Sequence, residues 1–157
     1  MSRRVSSSHT TRSESETGDV GRGLAATLSA GDVVLLCGDL GAGKTAFVKG
    51  LAEGLGVQRD EVNSPTFTIM QAYRGGRLPL FHVDLYRLDD PREIDDLGLG
   101  ELAEDGVLAI EWAEKLPSGW AGAISVRITH GEGDERTVEL TNSPTHQFTN
   151  SSGHRLL

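Results

Sequence analysis

Cysteine is nearly absent from this chain of 157 residues, and its one example, Cys37, cannot close an intramolecular disulfide. It stands in an apolar run just ahead of a glycine-rich turn, where a free thiol behaves as a small buried hydrophobe. Long hydrophobic runs are missing too. Stretches such as residues 33–37 and 107–110 stop far short of the roughly 20 apolar residues that a membrane-spanning helix requires. A soluble protein without a membrane partner is expected. Residues 1–15 are rich in Ser, Thr and Arg but lack the apolar core of a secretory signal, so the expected location is cytoplasmic. Positive charge is in deficit: 15 Lys and Arg against 23 Asp and Glu leave a formal charge of −8. Gripping a nucleic acid backbone draws on clustered cations, so any RNA partner must be held by something else. The five histidines are scattered and match no zinc-ligand spacing.

What remains is 37% hydrophobic and 24% charged, the composition of one globular domain with no room for a second. No repeat of fixed period is visible. Residues 1–15 and 143–157 are polar and without periodicity, and read as a disordered extension and a flexible tail around a domain of residues 16–142. Inside that domain, residues 17–29 carry Val20, Leu24 and Leu28 at helical spacing. Residues 32–37 are a continuous apolar run bounded by Gly31 and Gly38, the pattern of a strand buried on both faces. Residues 46–55 place Phe47, Val48, Leu51 and Leu55 on one helical face and stop at Gly56. Residues 67–73 and 78–88 are strand-like around the Arg74-Gly-Gly-Arg77 turn, which predicts an antiparallel pair. Asp89 or Asp90 caps a helix with Pro91 in its first turn, running through Ile94 and Leu97 towards Leu102. Residues 107–110 form another buried strand, and residues 124–129 and 137–140 alternate as half-buried strands about an acidic, Gly-rich turn. The sum is an α/β fold: a mixed parallel and antiparallel sheet flanked by helices.

Gly38-Asp-Leu-Gly-Ala-Gly43-Lys44-Thr45 matches G-x-x-x-x-G-K-[ST] completely, and it follows an apolar strand and opens a helix. That context is what the mechanism demands, because N–H groups of the turn and of the helix N-terminus must converge on an anion. Gly41, Ala42, Gly43 and Ala46 supply backbone contacts, Lys44 reaches the β and γ phosphates, and the Thr45 hydroxyl ligates Mg²⁺. The expected ligand is ATP with Mg²⁺ on a P-loop NTPase-like domain. Hydrolysis also needs a carboxylate for the metal and a group that orients water. Glu111 directly follows the run of residues 107–110, and Asp84 lies in His82-Val-Asp-Leu-Tyr-Arg87. A carboxylate at the end of a sheet strand suits a metal at Thr45. The alternation of His82, Asp84 and Tyr86 is also that of a polar, exposed strand face. Trp112 either covers a nucleotide or packs in the core, and Ser64-Pro-Thr-Phe-Thr68 is either a nucleotide-sensing loop or a turn.

Together these residues resemble the TsaE family, small P-loop ATPases of bacterial tRNA threonylcarbamoyladenosine biosynthesis. The resemblance rests on GDLGAGKT at 38–45, VNSPTFT at 62–68, HVDLYRL at 82–88 and IEWAEKL at 110–116, in that order. It implies that Thr45 and Glu111 hold Mg²⁺, that Lys44 is the phosphate lysine, and that Asp84 is the acidic residue needed for turnover. By the same resemblance Thr66 faces the γ-phosphate, Trp112 lies beside the nucleotide, and Thr17 and Arg136 contact the adenine side. The implied role is ATP hydrolysis, weak alone and activated by a heterodimeric tRNA threonylcarbamoyl-transferase that modifies adenosine 37 of tRNAs reading ANN codons. Contact with tRNA would then be indirect, and the chain itself a monomer or weak oligomer. The alternatives are a small P-loop kinase and a non-catalytic nucleotide-binding subunit. A GTP-dependent switch is disfavoured: the guanine-reading N-K-x-D is absent, and Asp95-Asp-Leu-Gly98 falls within a helical pattern.

Overall fold

The computed structural model describes residues 6–38, 43–57, 69–116 and 119–142. Strand β1 (Ser6–Thr11) leads into helix α1 (Glu14–Ala25), strand β2 (Val33–Gly38) and helix α2 (Lys44–Gly54). Strands β3 (Met70–Tyr73) and β4 (Leu80–Asp84) precede the short helices α3 (Pro91–Asp95) and α4 (Leu99–Asp105). Strand β5 (Val107–Glu111), a 3₁₀ turn (Ala113–Lys115) and strands β6 (Ile124–His130) and β7 (Arg136–Asn142) follow. The seven strands form one sheet in the order β1-β7-β6-β2-β5-β4-β3. Its centre is parallel, β6 with β2, β2 with β5 and β5 with β4, while β1, β7 and β3 are added antiparallel. The mixed α/β sheet read from the sequence is therefore present.

Alternate residues of the central strands feed opposite faces of the sheet. Val34, Leu36, Ala109, Val126 and Ile128 pack under α1 and α2 with Leu24, Phe47, Val48 and Leu51. Val33, Leu35, Leu108 and Ile110 pack on the other side with Phe81, Ile94, Leu99 and Ala103. Burial on both faces explains why β2 and β5 read as unbroken apolar runs.

The N-terminal extension is a correction. Residues 6–11, expected to be unstructured, pair antiparallel with β7 from Ser6↔Thr141 to Thr11↔Arg136. Only Thr11 of this strand is buried, so its pairing rests on backbone hydrogen bonds, which leave no apolar signature. Helix α1 also starts at Glu14 rather than at residue 17: Ser13 Oγ accepts from the Glu16 N–H at 3.0 Å, and Glu16 Oε1 accepts from the Arg12 N–H at 2.9 Å. This Ser-x-x-Glu arrangement closes the helix start as a capping box does. The helix predicted after Pro91 is two, broken where Gly98 turns left-handed (φ 68°). Asp90 caps the first of them through the Arg92 N–H.

Helices α1 and α2 touch backbone to backbone. A Cβ at Gly50 would lie 1.7 Å from the Gly18 carbonyl oxygen, and one at Gly21 would lie 2.3 Å from that of Phe47. Glycine permits this approach, which sets the start of α1 beside the start of α2: a Cβ at Gly43 would lie 3.7 Å from Thr17 Cγ2.

Candidate functional site

Three neighbouring parallel strands end together: β2 at Gly38, β5 at Glu111 and β4 at Asp84. Such carboxyl ends are where open α/β sheets bind ligands. Asp84 and Glu111 are direct register partners, so two carboxylates stand side by side on one face. Helix α2 opens against them with Gly43 as its left-handed N-cap (φ 108°), bringing the N–H groups of its first turn to the same edge.

The predicted side chains converge here. Lys44 is buried; its Nζ donates to the Gly38 carbonyl at 2.9 Å and lies 4.0 Å from the centre of the Trp112 ring. The Thr45 hydroxyl donates to Glu111 Oε2 at 3.5 Å. Glu111 is only 3% exposed, and the same oxygen is hydrogen-bonded with His82 Nε2 at 2.5 Å. An ionised carboxylate this deep needs such partners, because burial of an unpaired charge is prohibitively costly. Asp84 Oδ1 accepts from the Tyr86 N–H at 2.9 Å. Burial pushes the Asp84 carboxyl above the usual carboxylate range; the negative Glu111 adds to this, and the Tyr86 N–H, His82 and Lys44 oppose it.

Trp112 is the one non-glycine among the described residues with positive φ (59°). Left-handed backbone in so bulky a residue is uncommon and strained. It turns the chain out of β5 and aims the indole between Lys44 and Tyr86, whose ring centre is 4.9 Å away. The half-buried Trp112 ring packs against the core on one side and lies over Lys44 on the other, so both roles read from the sequence stay open. Lys115, three residues on, donates to the Tyr86 carbonyl at 2.5 Å and to Asp89 Oδ1 at 3.2 Å, pinning the turn that follows Asp84.

Thr17 and Arg136, though far apart in sequence, line one cavity of about 370 Å³ together with Arg12, Ser13, Glu14, Gly43 and Asp134. Thr17 Oγ1 lies 2.7 Å from Thr11 Oγ1, and Arg136 Nη1 donates to the Gly133 and Glu135 carbonyls at 2.9 Å. The sequence reading missed Arg12, Ser13, Glu14 and Asp134 of this cavity; the Ser-x-x-Glu pattern at 13–16, which it did not use, is the signal that marks the segment. It also passed over His82, whose burial contradicts the exposed polar face that the alternation of β4 allowed. Gly41, Ala42 and Thr66 lie outside the described residues, whereas Ala46 sits in the first turn of α2.

Known proteins are similar to this chain along most of its length. A sequence model described as "Threonylcarbamoyl adenosine biosynthesis protein TsaE" matches residues 11–138. The tRNA threonylcarbamoyladenosine biosynthesis protein TsaE of Bacillus subtilis is 47% identical over 131 residues, covering 80% of this chain and 79% of its own. The protein of that name from Nostoc is 46% identical over 123 residues, 75% of each chain. The one from Treponema pallidum is 44% identical over 131 residues, 81% of this chain and 96% of its own. Among solved structures, the crystal structure of Bacillus subtilis YdiB superimposes with a TM-score of 0.69 at 36% identity, covering 91% of this chain and 90% of that one. With a P-loop lysine, a Thr45–Glu111 pair and the HVDLYRL and IEWAEKL strand ends in one place, and relatives matching along most of its length, the chain belongs to the TsaE family of tRNA threonylcarbamoyladenosine biosynthesis.

Proposed function

We propose that this chain is a Mg²⁺-dependent ATP hydrolase that works in the cytoplasm with a heterodimeric transferase, which places N6-threonylcarbamoyl on adenosine 37 of tRNAs reading ANN codons. The observation that carries the hydrolase reading is the Thr45–Glu111 pair beside Asp84, at the strand ends that face Lys44. Thr45 and Glu111 offer hard oxygen donors next to each other, the chemistry that Mg²⁺ accepts alongside phosphate oxygens. When bound, Mg²⁺ neutralises charge on the β and γ phosphates. Lys44 and the first-turn N–H groups of α2 bind the phosphates, and Trp112 keeps the ammonium at the mouth of the site. Asp84 orients the attacking water, and its raised proton affinity suits it to accept the proton. Thr66 serves the γ-phosphate side, by resemblance. The cavity holding Thr17 and Arg136 takes the adenine. Net charge of −8 supports a division of labour in which the transferase holds the tRNA.

Phosphate release from ATP and from GTP, by the chain alone and with the purified heterodimer, tests this. The expected outcome is ATP-specific hydrolysis that rises with the heterodimer and disappears in Lys44→Ala. Partner-independent transfer to a small acceptor would instead make the chain a kinase. ATP binding that the heterodimer never converts to hydrolysis would make it a non-catalytic subunit. The carboxylates separate by role: Glu111→Ala weakens Mg²⁺-dependent binding, whereas Asp84→Ala keeps binding and loses turnover. Equal loss of nucleotide affinity in both would show the roles wrongly divided.

A further inference from the structure

We propose that His82 is a positioning residue that fixes the Glu111 carboxylate for the metal through the contact of its Nε2 with Glu111 Oε2. The inference rests on the assignment of Glu111 to Mg²⁺. Strand β4 is buried from Leu80 to Val83, and His82 is the polar side chain within that stretch, with no exposed surface. Its register partner is Ala109, so by the two-residue repeat of a strand His82 and Glu111 share a face. The small Ala109 leaves the imidazole free to reach along the diagonal to Glu111 Oε2. That oxygen also accepts from Thr45.

His82 Nδ1 is buried with no hydrogen-bond partner among the described residues, so the contact with Glu111 is the polar anchor of the ring. An ionised carboxylate is an acceptor only, so Nε2 donates to it. Hydrogen bonds that orient ligating carboxylates are worth about 10- to 100-fold in metal affinity.

The test uses Mn²⁺ in place of Mg²⁺, its binding followed by electron paramagnetic resonance with a non-hydrolysable ATP analogue at saturation. His82→Leu, which keeps bulk and removes the donor, is expected to weaken Mn²⁺ by about tenfold while nucleotide affinity in EDTA stays unchanged. His82→Gln, with an amide N–H near the Nε2 position, is expected to recover most of the loss. A purely packing role predicts the reverse ranking or no change in Mn²⁺ affinity, and either would overturn the proposal. Glu111→Ala separates the two levels: if it leaves Mn²⁺ affinity intact, the metal assignment falls and this inference with it. If Glu111→Ala weakens Mn²⁺ and His82→Leu does not, only the role of His82 falls.

Discussion

At the scale of single residues, the site concentrates what the rest of the molecule avoids: buried charge, a desolvated carboxylate and a left-handed Trp. Asp84 shows the cost. Because its proton affinity is raised in the fold, the native state binds more protons than the unfolded chain between the ordinary carboxylate range and the raised value. The contribution of this group to stability therefore falls as pH rises through that window. Asp84→Asn is expected to end turnover while raising the melting temperature by no more than about 2–4 °C, since partial exposure screens the effect. Calorimetry at pH 7 checks this, and a lower melting temperature would mean that the Asp84 charge is stabilised rather than strained. The chemistry of Lys44, Thr45, Asp84 and Glu111 was legible in the sequence, because residue type and spacing encode it. The burial of His82 and the φ of Trp112 were not: an alternating H-x-D-x-Y reads equally as a wet strand, and no local rule places a Trp in left-handed backbone.

Among the elements, the parallel core was the easiest to read, since strands covered on both faces must be apolar throughout. Edge strand β1 was the hardest, because Ser6 to Thr10 are exposed and backbone pairing alone defines them. The meeting of α1 and α2 lies between these extremes: the glycines are visible in the sequence, but taken alone glycine weakens a helix rather than announcing a contact. Their separate roles make a paired prediction. Gly23 has nothing within 4 Å of an added Cβ, so Gly23→Ala is expected to stabilise by roughly 0.5–1 kcal/mol through helix propensity. Gly50→Ala drives a methyl group into the Gly18 carbonyl and is expected to destabilise by about 3 kcal/mol. It should also weaken ATP, because α1 carries Thr17 to the cavity edge. Equilibrium denaturation of both variants is the check, and a Gly50→Ala protein as stable as the parent would place the helices further apart.

For the whole molecule, acidity and topology each have a consequence. With 23 carboxylates against 15 basic residues, the chain alone is expected not to retard tRNA in a mobility-shift experiment at physiological salt, and retention should require the heterodimer. Tight binding by the chain alone, with a steep salt dependence, would contradict the indirect role. Topology governs timing. Among the described residues strand β1 pairs with β7 alone, and the cavity shared by Thr17 and Arg136 draws one wall from each end of the fold. During synthesis the chain emerges N-terminus first, so β1 must wait through the production of every other strand before its partner exists. A polypeptide halted before β7 can own a complete P-loop and still have no Thr17–Arg136 cavity, so only a finished domain offers the whole of it.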